Sequence, residues 1–82
     1  MNFRIEVRVL PRTGLLDPQG QAVEHALTAL GFPGAANVHV GKAITMDLDA
    51  DSPEAAHATA QRMCEMLLAN PVTEDFTLAV GD

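Results

Sequence analysis

Alternation marks the first strand. Phe3, Ile5, Val7 and Val9 fall on one side of residues 3–9, and Arg4, Glu6 and Arg8 on the other, which is the period of a strand with one buried face. The segment Pro11-Arg12-Thr13-Gly14 reads as loop. From Pro18 to about Leu30 the rhythm changes, because Val23, Ala26, Leu27 and Leu30 recur at the i, i+3, i+4, i+7 positions of one helix face. The start of that helix is marked twice. Asp17 offers an oxygen to a free N–H of the first turn, and Pro18 fits the first position, where a missing N–H costs nothing. Gly31 supplies a left-handed stop. Gly20 lies early in the helix, where glycine costs up to ~1 kcal/mol against alanine. A tolerated first-turn glycine is the expectation, ahead of a second backbone or a docked partner needing the space.

Further along, Val38 and Val40 begin a second alternating segment, with Asn37 and His39 on its other side. Gly41-Lys42 suits a tight turn into a third strand, Ile44-Met46-Leu48, with Thr45, Asp47 and Asp49 outward. The pair is read as an antiparallel hairpin. Ser52, Pro53 and Glu54 open a second helix with the same devices as the first, and Ala56, Ala60, Met63 and Leu67 give its apolar stripe. Asn70 tolerates a left-handed helix end and Pro71 blocks continuation. Phe76, Leu78 and Val80 form the last strand. The order β-α-β-β-α-β predicts an α+β fold, a ferredoxin-like two-layer sandwich with an antiparallel sheet and two helices on one face.

Eighty-two residues make a single domain, spanning 1–82. A net charge of −6, with five basic residues against eleven acidic ones, argues against nucleic acid and against an anionic membrane surface. No apolar run approaches the ~20 residues of a membrane span. Met1 leads straight into the first strand, so no signal peptide is visible, and the single cysteine fits a reduced, cytoplasmic setting.

The chemistry-bearing residues are few and scattered. His25, His39, His57 and Cys64 lack close ligand spacing, so no metal is expected. Cys64 lies in a helix without a neighbouring cation, which suits a packed thiol better than a nucleophile. Asp47, Asp49 and Asp51 read as a solvated strand edge. Phe3 and Phe76 sit on apolar faces, so the sheet offers no stacking platform for RNA. Pattern and composition thus lead to an acidic α+β domain that works by contact, with no catalytic residue and no cofactor of its own.

Three blocks carry a resemblance. Leu16-Asp17-Pro18-Gln19-Gly20 with Ala22-Val23 and Ala26-Leu27 is one, and Val38-His39-Val40-Gly41-Lys42 is the second. The third runs from Met63 through Asn70-Pro71-Val72 to Glu74-Asp75-Phe76. Together they resemble the PurS family, the small subunit of phosphoribosylformylglycinamidine synthase, over essentially the whole chain. His39 stands where the family pattern has a basic residue. The resemblance implies a non-catalytic subunit of an ATP- and glutamine-dependent ligase in purine biosynthesis. Such a subunit bridges the glutaminase PurQ and the synthetase PurL, supports ammonia transfer between them, and forms dimers or tetramers. It also turns some residues into candidate contacts: Asp17, Pro18, Gln19 and Gly20 at the helix start, Gly41 and Lys42 at the hairpin tip, Asn70 and Pro71, and Arg4 and Arg8 on the polar sheet face. The alternative function on this architecture is a small ligand-binding regulatory module.

Overall fold

The computed structural model describes residues 1–81. Three strands, β1 (Asn2–Pro11), β2 (Lys42–Asp49) and β3 (Glu74–Gly81), form an antiparallel sheet in the order β2-β1-β3. Two α-helices, α1 (Pro18–Ala29) and α2 (Pro53–Met63), fill the connections, and α2 runs on into a π-helical turn, Cys64–Leu68. β1 is central because its inner face is the most apolar in the chain. Phe3, Ile5, Val7 and Val9 are all buried, each contributing roughly 1.5–3 kcal/mol of burial. Ala56, Ala60 and Cys64 of α2 and its π turn complete the core, and the small alanines let the helix lie close on the sheet.

The α+β antiparallel sandwich is the expected class, and the order β2-β1-β3 keeps three neighbouring strands of the ferredoxin-like sheet. Val38–Val40, however, is not a strand, so the predicted hairpin does not form. Its donors are taken by side chains instead: Val38 N donates to Glu24 Oε1 at 3.2 Å, and Val40 N to Asp17 Oδ2 at 3.0 Å. Asn37, with φ 55°, turns the chain into this path. Gly41 makes no hairpin turn. It runs against β1, where a Cβ would overlap the Val9 carbonyl oxygen. Lys42 opens β2 opposite Val9 and is not a loop tip.

Two further differences follow the helices. The expected stripe of α2 fails at Leu67, which is 82% exposed. Ala69 N donates to the Cys64 carbonyl, five residues back, and this wider turn brings Cys64 and Leu68 toward the sheet in place of Leu67. Helix α1 places no side chain in the core, so it adds nothing to the layer that α2 forms over β3 and β1. Neither helix is long and apolar enough to cross a membrane.

Candidate contact surfaces

The start of α1 is a knot of carboxylate hydrogen bonds. Asp17 caps the helix as its sequence predicts, accepting from Gly20 N at 3.1 Å through Oδ1. Its other oxygen accepts from Val40 N and lies 3.4 Å from His39 Nδ1. The two backbone donors, Val40 first and Gly20 second, outweigh desolvation and hold the buried Asp17 carboxyl below its usual 3.8, with His39 adding a smaller pull. Glu24, two helical turns on, projects from the same side of α1 and binds Val38 N. The segment 38–40 therefore lies flat against the first two turns of α1. Gly20 is what permits this, since a Cβ there would overlap the Val38 carbonyl oxygen. The tolerated-glycine expectation is corrected: a second backbone occupies the space.

A second set of contacts braces the turn before β3. Asn70 does not adopt the left-handed conformation expected of it, since Asn37 is the only non-glycine residue with positive φ among the described residues. Its side-chain oxygen instead accepts from Val72 N at 2.9 Å, and Glu74 Oε1 accepts from Asn70 N at 2.7 Å. Arg12 reaches over from the end of β1. Its Nη2 donates to the Pro71 carbonyl at 2.6 Å, its Nε lies 3.3 Å from Asp75 Oδ1, and its backbone N–H donates to Thr73 O at 2.9 Å. A cavity of about 260 Å³ beneath this turn reaches Cys64 and Phe76. Burial pushes the Cys64 thiol up, so it behaves as a packed apolar group and not as a nucleophile. Among the described residues, no three His, Cys, Asp or Glu side chains cluster as metal ligands.

Register places these features together. Val9 faces Lys42 and Pro11 faces Glu74, so Gly41-Lys42, the Asn70–Glu74 turn and the loop into α1 gather at one end of the sheet. Pro18, Gln19, Lys42, Asn70 and Pro71 are exposed there. Arg4 and Arg8 stand apart on the outer sheet face, where Arg8 Nε donates to Glu6 Oε1 at 2.9 Å and Arg4 faces Asp47 across the ladder. Arg12 and Glu24 were not singled out from the sequence. The spacing of Glu24 from Asp17 was the available signal, because seven residues return to the same helix side.

A three-stranded sheet, one helix layer and exposed polar ends free of a nucleophile define a protein that acts through its surfaces. Known proteins say which. Residues 4–82 match the family described as PurS, phosphoribosylformylglycinamidine (FGAM) synthase, and the chain belongs to that family. It is 34% identical over 82 residues to the PurS subunit of Methanothermobacter thermautotrophicus, covering 100% of this chain and 96% of that one. It is 42% identical over 77 residues to the Mycobacterium leprae PurS subunit, covering 92% and 91%. The solved Thermus thermophilus PurS superposes with a TM-score of 0.88 at 35% identity, covering 100% of this chain and 98% of that one. A chain of the PurLQS structure from Thermotoga maritima does so at 0.90 and 28%, covering 98% of each. The chain is thus a subunit of FGAM synthase, an enzyme of purine biosynthesis, and the ligand-binding module is not the function its relatives support.

Proposed function

We propose that this chain is the bridging subunit of the synthase, holding a PurQ glutaminase against a PurL synthetase and supporting ammonia transfer between them in the cytoplasm. The observation that carries the proposal is its likeness, over 98% of its length, to a chain of the Thermotoga maritima PurLQS structure. The exposed end of the sheet, with Asp17, Pro18, Gln19, Lys42, Asn70 and Pro71, is one contact surface, and Gly20 and Gly41 shape the backbone behind it. Arg4 and Arg8 on the open sheet face form another. The chain acts as a dimer or tetramer, and it contributes position, not catalytic groups.

The test is co-migration of purified cognate PurL and PurQ on a sizing column. PurQ is expected to elute with PurL only when this chain is added. Equal co-elution without it, or elution of this chain alone, contradicts the bridging role.

A further inference from the structure

Two surfaces of the chain are left as unmatched halves of a sandwich. Helix α1 has an uncharged stripe in Val23, Ala26, Leu27 and Leu30, yet Val23 is 41% and Leu30 73% exposed. Leu16 and Phe32 extend the patch at either end of the helix, at 74% and 60%. On the sheet, α2 covers β3 and β1, while Ile44, Met46 and Leu48 on the inner face of β2 are only half-buried. The shape agrees. The chain measures 50 × 26 × 14 Å with a radius of gyration of 16.1 Å, against about 12 Å for a compact chain of this length. Its accessible surface is 5829 Å², where a compact monomer of this mass exposes about 4,700 Å². The excess of about 1,100 Å² is the size that each partner of a stable pair covers, roughly 800 Å².

We infer that α1 of one copy packs over the inner face of β2 in a second copy, reciprocally, about a two-fold axis. A second copy is the occupant because one chain supplies both a helix without a sheet and a sheet face without a helix, and a two-fold pairing satisfies both at once. Neither surface carries a charge that pairing would bury unpaired: the stripe and the β2 face are apolar, and Glu24 already accepts from Val38 N. The lengths suit, since twelve helical residues span about 18 Å and eight strand residues about 26 Å. This inference rests on the self-association proposed above and names its surface.

Two measurements on the full chain test it. The double variant Leu27→Cys/Met46→Cys, mildly oxidised, is expected to give a covalent dimer whose peptide map joins position 27 of one copy to position 46 of the other. The variant Leu27→Asp/Leu30→Asp is expected to lose the dimer boundary in sedimentation velocity while keeping its far-ultraviolet circular dichroism. A wild-type chain that stays monomeric at all concentrations overturns self-association and this interface with it. A wild-type dimer with no link between 27 and 46, or with that link inside a monomer, overturns the interface alone. The same holds if the aspartate variant stays dimeric, or if it loses only co-elution with PurL, which would make PurL the occupant.

Discussion

Replacing Gly20 with alanine separates local propensity from close packing. In an isolated helix the change gains up to about 1 kcal/mol. Here the new methyl would overlap the Val38 carbonyl oxygen, so the segment 38–40 must withdraw by more than about 1 Å to restore contact near 3.5 Å. That withdrawal strains the bonds from Val38 N to Glu24 at 3.2 Å and from Val40 N to Asp17 at 3.0 Å. Hydrogen bonds to charged acceptors contribute about 1.5–3 kcal/mol each, and solvent access to these half-buried donors puts them at the low end. A loss of about 1–3 kcal/mol remains after the helix gain. For a domain of this size it lowers Tm by roughly 5–20 °C. Gly34 is the control, since its Cβ would meet nothing within 4 Å and its φ is not in the left-handed region. Gly34→Ala should be neutral or slightly stabilising. The assay is urea unfolding at one fixed protein concentration, because oligomers gain stability with concentration. Faster hydrogen exchange at Val38 and Val40 should accompany the loss. A Gly20→Ala protein as stable as wild type, with unchanged exchange at those amides, would refute the close-packing argument.

Other outcomes follow from the same contacts. Asp17 titrates below its usual 3.8 in the folded chain, so its contribution is fully present above that value and fades as pH falls through the lower folded one. Urea midpoints should therefore drop below about pH 4, and Asp17→Asn should remove part of that drop; an unchanged acid slope would count against the cap. Cys64 is buried and its thiol is pushed up, so a thiol reagent should label it only after denaturation, and rapid native labelling would contradict the packing. Ser52 accepts from Ala55 N at 3.0 Å, and Ser52→Ala should cost about 1 kcal/mol in urea unfolding.

Local chemistry was legible from the sequence, and long-range choices were not. Asp17 and Ser52 cap the helices that their sequences announce, because a cap involves only the next turn. Gly31, at φ 96°, ends α1 as predicted, with Phe32 N donating back to Leu27 O. The alternation in β1 led directly to the buried face. Val38-His39-Val40 alternates just as well, but its amides are claimed by carboxylates 14 and 23 residues earlier, and no local period reports that. The π turn is similarly silent, since Met63, Cys64, Leu67 and Leu68 satisfy either register. The stripe on α1 announces a helix that must cover an apolar face, without saying on which copy of the chain that face lies. Among the candidate contacts, Gly20 and Gly41 turn out to serve close backbone approach inside the chain, while Pro18, Gln19 and Lys42 remain exposed.

The most direct measurement is FGAM formation by cognate PurL and PurQ, with and without this chain, using glutamine or free ammonium as the nitrogen source. A bridging subunit should restore the glutamine-dependent reaction and leave the ammonium-dependent one nearly unchanged, because free ammonium bypasses the bridge. Equal glutamine-dependent activity in its absence would contradict that role.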